Sequence, residues 1–426
     1  MVIAISRYGP RVIPNTLQII EACRSRGELV RGPLIAEFEE AFASRFGDGG
    51  RAITTSYGRM AFRHILRALE LPAGSEIIFP ALTFWVVPEI ARGAGLKPVF
   101  ADIDPWTFNL DPDALERAIT PKTRAIVPTH LYGLACDMDR IMQVARKYQL
   151  RVIEDCAHSL GATYRGQRVG TFVDAAFFSF QTLKPLNTYG GGMALVRDPN
   201  LAARVAQMAV SEPWPSDKRV LGRLNKGRAE RIFTRPGVFT WTAFPLLWAA
   251  SWMNARPDVY LWESIRPLDP LPEGYLERYT NVQAAMGLEG LNYLAEWTQR
   301  TRDHAEFMDG NLAGLTGVRI PAVPPDRVHV YYQYCVYVPE RDDLVRRCIR
   351  RGLDIETLHV DVCTRVSLFG PGLAAAPGAD RAAGAVQLPI YAGLNESQLA
   401  HVCLTVKQAL SRSRGSELAR VGGMHL

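Results

Sequence analysis

A carboxylate, a hydroxyl and an amine recur at short intervals in one stretch of this chain. Asp155 closes the apolar run that starts at Val152, Ser179 ends a second run from Ala175, and Lys184 follows shortly before Gly190, Gly191 and Gly192. Both runs have the length and composition of short buried strands. Ligands of an α/β sheet bind beyond the carboxyl ends of its strands, so the three side chains are expected to face one pocket.

That combination suits pyridoxal phosphate (PLP). A lysine amine condenses with the cofactor's aldehyde, a carboxylate keeps the pyridine nitrogen protonated, and a hydroxyl among turn amides binds the phosphate. Taken singly, each residue has an ordinary role open to it. A lysine before a glycine-rich turn is usually a solvated surface residue, and an aspartate at a strand end is usually a cap or turn former. Their order and spacing favour the shared pocket.

Glu154-Asp155-Cys156-Ala157-His158, Gly161-Ala162, Gly170-Thr171, Phe178-Ser179-Phe180, Lys184 and Gly191-Gly192 resemble the core signature of the DegT/DnrJ/StrS sugar aminotransferases, which are fold type I PLP enzymes. The resemblance runs from about Gly32 to about Ala409 and weakens in the middle. It implies Lys184 as the Schiff-base lysine, Asp155 as the pyridinium partner, Ser179 as a phosphate ligand and His158 near the cofactor ring. It also implies a glutamate or glutamine donor, a nucleotide-linked keto sugar as acceptor, and a homodimer with its sites at the interface.

With 426 residues the chain can bury a large core, and two domains sharing a cleft are expected. Its 48% apolar and 22% charged residues exclude wholesale disorder. A net charge of +6 favours anionic ligands without calling for nucleic acid. The 7 cysteines are dispersed and never form a CxxC pair, which argues for reduced thiols and a cytoplasmic setting. No His/Cys/Asp set has metal-ligand spacing, so no metal is expected, and His130 reads as structural. The first residues lack a charged leader before a long apolar core, so no signal peptide is expected.

In chain order, Thr16 to Arg26 and Pro33 to Phe46 have amphipathic helical spacing. Ala52 to Ser56 reads as a strand that turns through Tyr57-Gly58-Arg59-Met60 into a helix from Ala61. Gly58, Arg59 and Met60 form a second candidate phosphate cradle, since amides at a helix start attract anions. Relatives carry a Gly-Thr-Ala-Leu-like motif there, and Arg59 replaces the small hydroxyl residue. Glu76 to Trp85 reads as another strand leading into a helix, and Phe84 just past the strand end is the candidate to lie on the cofactor ring, with Trp85 as runner-up. Strands alternate with helices through Val152, which predicts a mostly parallel, doubly wound sheet. The expected division is a large PLP-binding domain over residues 1–270 and a long helix with a smaller C-terminal α/β domain over 271–426.

Residues 212–270 depart most from the family. Lys218, Arg219, Arg223, Lys226, Arg228, Arg231 and Arg235 precede an apolar stretch with Trp241, Trp248 and Trp252. A lid or dimer interface is one reading, and peripheral contact of 218–253 with an anionic membrane is another. Beyond it, Gly274-Tyr275-Leu276-Glu277-Arg278 resembles the family's Gly-Tyr-Asn-Tyr-Arg segment, making Tyr275 and Arg278 substrate candidates. Val328 to Val338 alternates as one strand, Asp342 to Arg351 reads as a helix, and the tail after Arg412 is expected to fray. Three alternatives to sugar transamination stay open: deoxysugar dehydration, which Lys184 argues against, amination of a lipid-linked or lipid-like ketone, and a PLP-binding regulatory protein without turnover.

Overall fold

The structure is a computed structural model that describes residues 3–9, 13–253, 263–357 and 359–421, with side chains described up to residue 411. Trp262 lies outside the described residues. Among them no helix is long and apolar enough to cross a membrane.

A seven-stranded sheet forms the centre. Its strands run, in spatial order, Arg51–Thr55, Gly192–Val196, Ala175–Ser179, Arg151–Asp155, Thr123–Ile126, Glu76–Pro80 and Lys97–Ala101. Only Gly192–Val196 runs antiparallel to its neighbours. The strands Glu76–Pro80, Ala175–Ser179 and Gly192–Val196 are buried along nearly their whole length and mostly apolar, as strands covered on both faces are. Fold class and sheet type agree with the sequence reading.

Packing aims the strand ends. Phe38 and Phe42, on the inner face of helix Leu34–Phe46, are fully buried, and their rings contact Phe180 at 5.6 Å and Phe178 at 5.1 Å. Phe38 also rests on Gly287 of the long helix Asn281–Leu312, where a Cβ would come within 2.6 Å of its ring. The Ser179 strand is therefore clamped between that sheet and two helices.

The smaller unit contains the strand pair Tyr334–Tyr337 with Ala385–Leu388 and the helices Arg341–Ile349 and Glu396–Val421. Its core also takes in Ala4, Ile5, Phe239 and Leu247, so the division expected at residue 270 is crossed by two earlier segments. The terminal helix continues to Val421, past the expected fraying point. Asp361–Val362 pairs antiparallel with Leu82–Thr83, bringing this unit onto the edge of the strand that leads to Phe84.

One predicted strand is broken. Between Arg327–Val328 and Tyr334–Tyr337 the chain turns at Tyr331, whose φ is +47°. The Tyr331 amide donates to His329 Nδ1 at 2.8 Å and the two rings stack 4.0 Å apart. This local capping outcompetes strand pairing and turns Tyr332 inward.

Candidate active site

Asp155 ends its strand as a buried carboxylate, its Oδ1 accepting from the Ala157 N–H at 3.0 Å. Burial pushes its pKa up to about 6, against the pull of that hydrogen bond, Lys184, His130 and Thr129. Glu154, its neighbour, is committed elsewhere. It accepts from the Gly170 and Phe172 amides at 2.7 and 3.0 Å and lies 2.9 Å from His130 Nε2, while His130 Nδ1 accepts from the Cys136 amide. His130, Glu154 and Cys156 stand within 4.8 Å of one another. The hydrogen bonds already occupy both imidazole nitrogens and both carboxylate oxygens, and burial pushes the Cys156 thiol up to about 12.

Lys184 follows the Ser179 strand in a turn, its amide donating to the Gln181 carbonyl. Its Nζ stands 3.4 Å from the Tyr332 hydroxyl and 4.6 Å above that ring. Withdrawal from water lowers the amine to about 7; Asp155 opposes that shift and Arg59 adds to it. The amine is therefore poised between its two forms near neutrality. His158 stacks on the other partner of this group, the Tyr332 ring, at 4.1 Å. Burial holds the imidazole well below its usual value, so it is neutral, and its Nδ1 is a buried atom without a protein partner.

The second cradle is built by close backbone approach. Helix Gly58–Leu69 starts at Gly58 itself, three residues earlier than the expected start at Ala61. A Cβ on Gly58 would meet the Phe178 carbonyl at 2.7 Å and Ser179 Cβ at 3.1 Å, and one on Gly192 would meet Gly58 N at 2.2 Å. Two glycines thus let the helix start press against the Ser179 strand. First-turn amides have no acceptor within their own helix, and here they converge with a hydroxyl. Met60 does not belong to the cradle. Its amide donates to the Tyr57 carbonyl at 2.9 Å and its side chain lies in the core, because the earlier helix start rotates this position inward.

The Arg59 side chain turns away from the helix start. Its guanidinium pairs with Glu263 at 3.0 Å, bonds the Tyr275 hydroxyl, and lies 5.5 Å over the Phe84 ring. Phe84 and Trp85 both line the cleft; the Trp85 ring is buried in the core while Phe84 is only partly buried, which leaves Phe84 the freer ring. Arg278 is not brought to the site. It stacks on Trp214 at 3.8 Å in a separate cavity with Arg31, Arg51 and Glu39. Beside it the Glu277 carboxylate is bound by Arg219 and Arg223, and the Arg278 amide donates to the Pro213 carbonyl at 3.0 Å.

The wall facing Lys184 comes from residues that the sequence reading did not select: Tyr8, Tyr332, His359 and Asp361. The Tyr8 hydroxyl donates to Glu356 at 2.6 Å and lies 3.0 Å from His359 Nδ1. A half-buried acid also sits there, Asp361, which desolvation raises to about 6. The cleft thus offers an amine that is half neutral near pH 7, a buried carboxylate, an anion cradle, and aromatic rings on its walls.

This chain matches the profile of the DegT/DnrJ/EryC1/StrS aminotransferase family over residues 11–226 and 251–407. It belongs to that family. It is 32% identical over 419 residues to a GDP-perosamine synthase of Caulobacter vibrioides, covering 95% of this chain and 98% of that protein. It is 31% identical over 396 residues to a dTDP-3-amino-3,4,6-trideoxy-alpha-D-glucose transaminase of Streptomyces venezuelae, covering 91% and 89%. Among solved structures, the aminotransferase TlmJ from Streptoalloteichus hindustanus superposes with a TM-score of 0.78 at 25% identity, covering 96% of this chain and 99% of that one. The chain is accordingly an enzyme of the aminotransferase class, with the fold those enzymes share.

Proposed function

We propose that this protein is a PLP-dependent transaminase that moves an amino group from glutamate or glutamine to a nucleotide-linked keto sugar, working as a homodimer. The observation that carries the reading is the Lys184 amine, which lines one cavity with Asp155, stands 3.4 Å from the Tyr332 hydroxyl and is lowered to about 7. The donor set fits PLP on three further counts. The Gly58 and Gly192 approach leaves a cradle that a Cβ would fill, His158 Nδ1 is buried without a partner, and Asp155 is an acid not consumed by an arginine.

In this reading the Gly58 and Arg59 amides and the Ser179 hydroxyl hold the phosphate, Asp155 the pyridine nitrogen, and Phe84 and His158 the ring. When bound, PLP supplies an electron sink for charge that develops on the substrate. Lys184 Nζ does the proton work. Neutral in about half of the molecules at pH 7, it takes the proton from the donor's Cα, and its ammonium form later returns one to the acceptor's former carbonyl carbon. Asp155, ionised above about pH 6, keeps a negative charge in place through both halves. The Tyr332 ring supports the ammonium form by a cation–π contact, so neither form of the lysine is stranded. Names of relatives support the nucleotide-sugar acceptor; two of them carry GDP- and dTDP-linked sugars.

The test is a two-stage turnover. Glutamate and glutamine are offered singly, the keto acid released is counted, and keto sugars linked to GDP, dTDP or UDP are then offered to the aminated enzyme. Stoichiometric keto acid followed by an amino sugar nucleotide supports the reading. A protein that binds PLP but releases no keto acid from any donor is the regulatory alternative instead.

A further inference from the structure

The basic helix Asp217–Phe233 and the two short helices after it carry exposed apolar and basic side chains to which the transaminase mechanism assigns no role. Helices Pro236–Trp241 and Phe244–Ala250 divide cleanly into two faces. Phe239 and Leu247 enter the core of the smaller unit. Trp241, Leu246, Trp252 and Met253 stand 69%, 75%, 58% and 71% exposed, beside Trp248 and Phe233. These side chains are not on a loose loop. Thr240 Oγ1 accepts from the Ala4 amide at 2.9 Å, the Ser251 carbonyl accepts from Arg350 at 2.6 Å, and the same guanidinium lies 3.8 Å over Trp252. A fixed scaffold therefore holds large apolar groups in water, which soluble surfaces avoid unless they meet something.

Charge identifies what they meet. In the basic helix, Arg219 and Arg223 are taken by Glu273 and Glu277. Among the described residues, Lys226, Arg228, Arg231 and Arg235 have no acidic partner, and they lead directly into the tryptophan-bearing helices. Exposed tryptophans flanked by unpaired cations suit the interface of an anionic bilayer, where indole rings seat at headgroup depth and each cation near the surface adds attraction. Glu230 and Thr234, on the same stretch, line the Lys184 cleft, so the surface adjoins the site.

We propose that residues 226–253 are a docking surface for an anionic phospholipid bilayer, seating the tryptophan-bearing helices at headgroup depth beside the Lys184 cleft. The inference goes beyond the transaminase reading and does not depend on it.

The full-length protein is sedimented with vesicles of phosphatidylglycerol and phosphatidylcholine in equal parts, with pure phosphatidylcholine vesicles, and with no vesicles, at low and high salt. Binding is expected only to the anionic vesicles, with a blue-shifted tryptophan emission that brominated lipid quenches. Trp241→Ser with Leu246→Ser, and separately Lys226→Gln with Arg228→Gln and Arg235→Gln, should each weaken binding by about tenfold or more at unchanged melting temperature. No binding to anionic vesicles at low salt overturns the proposal. So does binding that the Trp241→Ser, Leu246→Ser variant leaves intact, or sedimentation velocity showing that this variant splits a larger oligomer, since a second copy would then be the occupant.

Discussion

The state of the Lys184 amine offers the sharpest quantitative test of the site. Withdrawal from water brings it to about 7 from an ordinary value of 10.5, with Arg59 lowering it further and Asp155 opposing. At pH 7 about half of the amines are then neutral, against roughly 0.03% for an unperturbed lysine, a gain of about three orders of magnitude in nucleophile and base. The perturbations are Asp155→Asn and Arg59→Gln, which remove one charge of each sign. The assay is reductive methylation of the cofactor-free protein with labelled formaldehyde, followed by a carbon NMR titration in which Lys184→Arg assigns the signal. The wild-type signal should titrate near 7, Asp155→Asn should move the midpoint down, and Arg59→Gln should move it up. A midpoint near 10.5, or one that neither substitution moves, would refute the electrostatic account of the site.

Three other outcomes follow from the packing. Gly58→Ala sets a Cβ 2.7 Å from the Phe178 carbonyl, so the helix start must shift off the Ser179 strand; equilibrium dialysis should show PLP binding at least about tenfold weaker, with a stability loss of about 1–3 kcal/mol in urea unfolding. Tyr332→Phe keeps the ring under Lys184 and against His158, so single-turnover amine transfer should slow by no more than about threefold, whereas Tyr332→Ala should slow it by about tenfold or more. His64 is buried and lowered from 6.5 to about 4, mainly by desolvation. The unfolded chain takes up that proton first as pH falls, so the stability it carries is complete above pH 6.5 and lost progressively towards 4. His64→Gln should therefore reduce the acid-induced fall in unfolding free energy over that window by up to about 3 kcal/mol.

Much of the site was legible because local sequence determines it. Asp155 and Ser179 sit at the ends of short apolar strands, and a strand end in a parallel sheet fixes which side of the sheet a residue meets. Gly58 was legible for the same reason, as the turn between a strand and a helix. Met60 departs from the expected cradle because its helix starts at Gly58 rather than Ala61, its amide donating to the Tyr57 carbonyl and its side chain lying in the core. Arg278 stacks on Trp214 in a separate cavity while Glu277 beside it meets Arg219 and Arg223, contacts made some fifty residues or more away in sequence that periodicity does not encode. Tyr332 was hidden by its neighbours. The alternation from Val328 to Val338 reads as one strand, and only the His329–Tyr331 stack breaks it. His359 and Asp361 reach the cleft through the pairing of Asp361–Val362 with Leu82–Thr83, which is a property of the tertiary fold. The middle section stands between these cases. Its composition announced an unusual surface, and the structure sorted Phe239 and Leu247 inward from Trp241 and Leu246 outward.

The central claim is that Lys184 is the residue that carries the cofactor. Purified protein is incubated with PLP, treated with borohydride, digested and mapped by mass spectrometry, with a parallel sample exposed to glutamate first. The account predicts a stable phosphopyridoxyl adduct on the peptide containing Lys184, and its loss in the glutamate-treated sample. An adduct on a different lysine, or none on a protein that is otherwise folded, would contradict it.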